Sequence, residues 1–121
     1  MKVLIVEDDK FLSNAYRLKF TKVGYEVHLA CDGEDAMKTL STFTPDIILL
    51  DLVMPVKDGF TVLAELKAHD TYKNIPVIIT SNLSQKEDID KAKNLGAKDF
   101  IVKSDVSLDD IVEKIQKVMG K

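Results

Sequence analysis

Pro45-Asp46-Ile47-Ile48-Leu49-Leu50-Asp51 sets four consecutive apolar residues directly before a carboxylate. Such a run suits a strand buried on both faces, and strands of that kind belong to parallel sheets covered by helices. The expected strand spans Asp46 to Leu50, with Pro45 just ahead of it, where a missing N–H costs little. Asp51 then stands at the mouth of a sheet, where burial and neighbours can make a carboxylate reactive. Working outward, similar apolar runs predict strands at Lys2 to Val6, Tyr25 to Leu29, Val77 to Thr80 and Asp99 to Val102.

Apolar residues recur at helical spacing between these runs. The first helix is expected to bury Phe11, Leu12, Ala15, Tyr16, Phe20 and Val23. The last is expected to bury Leu108, Ile111, Val112, Ile115, Val118 and Met119. Gly24 and Gly96 fall where a left-handed residue ends a helix. Ser84 with Glu87, and Ser107 with Asp110, have the spacing of capping boxes. Five strand–helix repeats predict an α/β fold, a doubly wound five-stranded parallel sheet with helices on both faces, as one domain over residues 1–121.

Composition narrows the function classes. The 121 residues are 45% hydrophobic and 31% charged, the balance of an ordinary soluble domain. A net charge of −3 gives no reason to expect direct contact with nucleic acid or anionic membrane. No apolar run approaches the ~20 residues of a membrane span, and the opening residues do not form a signal peptide. The single cysteine, Cys31, excludes an internal disulfide and fits a reducing compartment. The expected location is therefore cytoplasmic.

Ligands of open parallel sheets bind outside the carboxyl ends of the strands. Glu7, Asp8 and Asp9 follow the first strand, Asp51 the third, Ser81 the fourth and Lys103 the fifth, whereas the second ends in Leu29-Ala30-Cys31. The order 2-1-3-4-5 would bring the polar ends side by side and leave strand two at an edge. Carboxylates ~4 Å apart repel by about 4 kcal/mol at an effective dielectric of 20. A divalent cation relieves this, and oxygen-only ligands indicate Mg²⁺ rather than zinc. Glu7 and Asp8 would hold it, Asp51 would accept a phosphoryl group, Ser81 would donate a hydrogen bond and Lys103 would supply countercharge. Asp9 is expected to stay peripheral. Strand alternation alone does not choose between Ser81 and Thr80.

These residues resemble the receiver domains of two-component response regulators over essentially the whole chain. The resemblance is carried by Leu4-Ile5-Val6-Glu7-Asp8-Asp9, by Asp51-Leu52-Val53-Met54-Pro55 with Asp58-Gly59, and by Gly96-Ala97-Lys98-Asp99-Phe100 leading to Lys103. Gly24-Tyr25 and Asp32-Gly33 are also similar. The family spacing selects Ser81, 30 residues after Asp51 and 22 before Lys103. The resemblance implies that Asp51 takes phosphate from the phosphohistidine of a sensor histidine kinase or phosphotransfer protein. Mg²⁺ would be held by Asp8, Asp51, the Val53 main-chain carbonyl and, mostly through water, Glu7. Ser81 and Phe100 would form a switch pair that reshapes the face of helix four, strand five and helix five for a downstream protein. That is a signalling switch and not a turnover enzyme; homodimer formation on phosphorylation is left open.

Three positions depart from the pattern. Ser104 stands where the family usually has proline, so a trans bond and a differently shaped loop are expected. Asn82 replaces a smaller residue and is expected to narrow access to Asp51. Phe100 replaces the more frequent tyrosine. His28 and His69 fall outside the cluster, and the charges from Lys86 to Lys93 read as a solvated helix face. The same residues oppose three rival functions. A phosphate-indifferent interaction domain is opposed by the full polar set. A flavodoxin-like cofactor binder is opposed by acids where a phosphate loop would lie. An aspartyl phosphatase is opposed by Val53 at the position of a second aspartate.

Overall fold

The computed structural model describes residues 1–54, 56–83 and 85–120. Its strands are β1 (Lys2–Val6), β2 (Glu26–Ala30), β3 (Ile47–Asp51), β4 (Val77–Ser81) and β5 (Asp99–Val102). The helices are α1 (Lys10–Lys22), α2 (Gly33–Leu40), α3 (Gly59–Ala68), α4 (Lys86–Asn94) and α5 (Leu108–Val118). All strand pairs are parallel, in the order β2-β1-β3-β4-β5. The fold expected from the apolar runs is the fold observed.

Alternation along the strands divides the interior into two compartments. Val3, Ile5, Ile47, Leu49, Ile78 and Ile101 face α1 and α5, where Tyr16, Phe20, Ile111, Val112 and Ile115 cover them. Leu4, Val6, Ile48, Leu50, Val77 and Ile79 face the other way, against Leu40, Val62, Leu63, Leu66 and Ala92 of α2, α3 and α4. Burying both faces of each central strand is why they read as unbroken apolar runs.

The punctuation acts locally. Gly24 and Gly96 adopt φ of +96° and +106° directly after α1 and α4, a region that costs other residues a Cβ clash. Ser107 and Asp110 exchange both bonds of a capping box at α5. The other expected box falls on Ser84, outside the described residues; α4 has Gln85 as its N-cap, without a side-chain bond.

Three expectations are corrected. β3 is Ile47–Asp51 and β4 ends at Ser81, each running one residue past its expected end because Asp51 and Ser81 still pair in register with Thr80 and Val102. β2 begins at Glu26, because the Tyr25 N–H donates to the Phe20 carbonyl (3.0 Å) and so still belongs to the helix exit. Phe11 is 92% exposed and Val23 is 42% exposed. The buried stripe of α1 is Ser13, Tyr16 and Phe20, and two residues before Ser13 places Phe11 about 160° around the helix from it.

Candidate functional site

The acidic site is assembled by chain reversals at the strand ends. Glu7 directly follows β1, and its N–H continues the ladder to the Ala30 carbonyl (3.0 Å). Asp9 caps α1, accepting the Leu12 N–H at 3.1 Å, and so serves the helix and not the cleft floor. Asp51 and Ser81 are the last residues of β3 and β4. Lys103 opens a short 3₁₀ turn, Lys103–Asp105, after β5. That turn contains Ser104, and no peptide bond among the described residues is cis.

Glu7, Asp8 and Asp51 each offer one carboxylate oxygen within 4.8 Å of the others. Asp8 is exposed, whereas Glu7 and Asp51 are 3% and 4% exposed. Lys103 spans the buried two: its Nζ donates to Glu7 Oε1 at 2.5 Å and lies 3.3 Å from Asp51 Oδ2. One ammonium therefore serves two carboxylates. Burial pushes the Glu7 carboxyl up to about 7; the Lys103 hydrogen bond opposes this, and the nearby Asp51 carboxylate adds to it.

Around these groups lies an open cleft of about 350 Å³ that also takes in Asp9, Ser81, Val53, Asn82 and Leu83. Ser81 Oγ accepts the Leu83 N–H at 3.1 Å, fixing the loop beyond β4. The Val53 N–H points at Asp51 Oδ1, 3.4 Å away, while its side chain is 61% exposed. Thr80, buried and paired in register with Asp51, does not line the cleft. Phe100 is buried in the compartment beneath α4, with Ile79, Ala92 and Val102. His28 and His69 lie apart, stacked on Phe43 and Tyr72.

One support carried no assigned role in the sequence. A Cβ at Gly59 would be driven into the Asp51 carbonyl oxygen and would lie 2.6 Å from Leu52 Cα. The Gly59 N–H donates to the Leu52 carbonyl at 2.9 Å, and Asp58 caps α3 through the Thr61 N–H (2.8 Å). The start of α3 is thus pressed against the backbone that carries Asp51. A hydrogen-bonding side chain immediately before a glycine, seven and eight residues after a buried strand, was the available signal.

A five-stranded parallel sheet with buried carboxylates, a hydroxyl and a lysine at the carboxyl ends of its strands has the architecture of a doubly wound α/β domain, whose ligands bind at that end. The chain belongs to a specific family of that class: residues 3–116 match the response regulator receiver domain. It is 36% identical over 121 residues to the chemotaxis protein CheY of Treponema pallidum, covering 98% of this chain and 82% of that one. The phosphorylated cyanobacterial phytochrome response regulator RcpA superposes with a TM-score of 0.85 at 35% identity, covering 96% of this chain and 91% of that chain. A Mn²⁺-bound response regulator superposes with a TM-score of 0.78 at 30% identity, covering 97% and 90%. The chain spans less than half the length of several other curated relatives it matches. Among the described residues, no helix is long and apolar enough to cross a membrane.

Proposed function

We propose that residues 1–121 act as one phosphoacceptor switch, with Asp51 taking a phosphoryl group from the phosphohistidine of a sensor histidine kinase or phosphotransfer protein. The observation that carries this reading is the convergence of the Glu7, Asp8 and Asp51 oxygens within 4.8 Å, with Lys103 across them. An Asp51 carboxylate oxygen attacks phosphorus. The P–O bond forms as the P–N bond breaks, and the electron pair goes to the imidazole nitrogen, which then takes up a proton. Lys103, already 3.3 Å from Asp51, meets the charge on the phosphoryl oxygens. Ser81 turns its hydroxyl from the Leu83 N–H and donates to one of those oxygens.

The donor set fits a hard divalent cation, since every converging atom is oxygen. Asp8, Asp51, the Val53 main-chain carbonyl and Glu7 (through water) would hold Mg²⁺, which would neutralise charge on acceptor and phosphoryl oxygens alike. The receiver family and its phosphorylated and Mn²⁺-bound relatives support this assignment.

Output follows from where Ser81 stands. It shares a sheet face with Ile79 and Phe100, so its displacement acts on the compartment under α4. The surface of α4, β5 and α5 then changes for a downstream protein partner in the cytoplasm. The test is intact mass after incubation with Mg²⁺ and acetyl phosphate, with Asp51→Asn alongside. A gain of one phosphoryl group in the parent alone is expected. No gain, from acetyl phosphate or from a partner kinase, would replace this reading with a phosphate-independent interaction domain.

A further inference from the structure

Among the described residues, one buried side-chain polar atom has no hydrogen-bond partner: the Tyr16 hydroxyl. Tyr16 is 1% exposed, and its ring lies parallel to Phe20, 5.9 Å between centroids. Side chains on a helix lean toward its N-terminus, and α1 starts beside Glu7, so the ring is directed to the carboxyl end of the sheet. Glu7, Asp51 and Lys103 continue the alternation of Ile5, Leu49 and Ile101, which places them on the face that Tyr16 covers. Burial, then the charges of Glu7, Asp51 and Asp9, hold the phenol far above its usual range. The oxygen therefore keeps its proton and can only be a neutral hydroxyl.

Glu7 has few donors to call on. Its Oε1 takes the Lys103 ammonium at 2.5 Å, and its Oε2 takes the Asp9 N–H at a long 3.3 Å. The nearby Ser13 hydroxyl is committed to the Lys10 carbonyl at 3.3 Å. Under the phosphoacceptor reading, Lys103 turns to a phosphoryl group on Asp51 and leaves a buried carboxylate oxygen without its short partner. An unmet buried acceptor is costly, and the unpaired Tyr16 hydroxyl lies close enough to feel the charges of Glu7 and Asp51.

Resting on that reading, we propose that Tyr16 is a positioning residue for Glu7: its hydroxyl donates to the Glu7 carboxylate when phosphorylation of Asp51 draws Lys103 away. The hydroxyl is then unsatisfied at rest and satisfied in the phosphorylated state. It favours that state without touching the phosphoryl group. The stack on Phe20 keeps the phenol in place, and the Glu7 side chain shifts to meet the hydroxyl, which has no acceptor within hydrogen-bond distance at rest.

The test is Tyr16→Phe, which keeps the ring and removes one oxygen. Its urea midpoint at rest should equal or exceed that of the parent, while phosphoryl gain from acetyl phosphate, followed by intact mass, should slow roughly three- to tenfold. A merely structural hydroxyl would lower both. A parent that gains no phosphate would count against the phosphoacceptor reading itself, so the contact also needs an arm without phosphodonor. In Lys103→Met at pH 8, adding Tyr16→Phe should lower the urea midpoint, although the same change costs nothing when Lys103 is present. Equal effects in the two backgrounds, a lower resting midpoint for Tyr16→Phe, or an unchanged phosphorylation rate in a parent that does gain phosphate would each overturn the proposal.

Discussion

Two half-buried lysines stand at opposite ends of the sheet in opposite electrostatic situations. Lys67 lies at the amino ends of β4 and β5. Its Nζ donates to the carbonyls of Lys73 (3.1 Å) and Ile75 (2.9 Å), and its stem fills the space beside Gly96. Burial, then Lys98, lowers its pKa, yet both its recorded partners are neutral carbonyl dipoles. Lys103, at the carboxyl end, is divided between two buried carboxylates. The first arrangement is finished when the chain folds. The second keeps an excess of negative charge under cover, a state that an added cation or phosphoryl group can relieve.

Exchanging each lysine for methionine should separate the two cases. Lys103→Met is expected to cut phosphoryl gain from acetyl phosphate by about a hundredfold, the scale of losing one electrostatic stabiliser of a transition state. Lys67→Met should leave that rate alone and lower unfolding free energy by about 1–2 kcal/mol in urea titrations, since the part-buried Ile75 carbonyl loses a charged donor while the exposed Lys73 carbonyl can turn to water. A slower rate in Lys67→Met would break the contrast.

Acidity offers a second handle, because the carboxyl end holds a strongly displaced carboxyl, that of Glu7. Glu7 releases its proton near 4.5 when unfolded and near 7 when folded. Between those values the folded chain binds more protons than the unfolded one, so this contribution to stability falls as pH rises and is lost above about 7. Unfolding curves without Mg²⁺ should show it as a difference from Glu7→Gln that shrinks below pH 5. A difference that is flat with pH would mean that Glu7 is not strained at rest. Mg²⁺ should stabilise the parent by about 1.4 kcal/mol at ten times its dissociation constant, and much less after Asp51→Asn. An unchanged melting temperature would show that the three carboxylates do not bind the ion. The smallest effect belongs to the cleft wall: Asn82→Ala should speed phosphorylation and dephosphorylation by roughly two- to fivefold, a gating change worth under ~1 kcal/mol. Faster rates in the parent would count against a gating role for Asn82.

Much of this was legible because burial leaves a plain mark on sequence. A central strand covered on both faces is mostly apolar, so Ile47 to Leu50 declared the sheet, although β3 runs one residue further, to Asp51. Caps were legible where a side chain replaces a backbone partner, as at Ser107 and Asp110. The misplacement of Phe11 has the opposite origin. Apolarity alone does not say which side of a helix meets the sheet, and a buried serine, Ser13, occupies the stripe instead. At the site, the strand-end positions of Glu7, Asp51, Ser81 and Lys103 could be read from spacing. The sharing of one ammonium by two carboxylates could not, because it depends on a contact across 96 residues. Nor could the contact of Gly59 with the Asp51 backbone, which is set by how α3 docks.

Alternation along neighbouring strands has a further result. Asp51 and Lys103 belong to the face over α1 and α5, whereas Ser81 and Phe100 belong to the face over α4. A small anion bridging Lys103 and Ser81 would hold one group from each side of a wall that otherwise keeps two interiors apart. Two sides of the sheet would then answer to a single covalent event, each through its own residue. A substitution that uncouples one side would leave the other still listening.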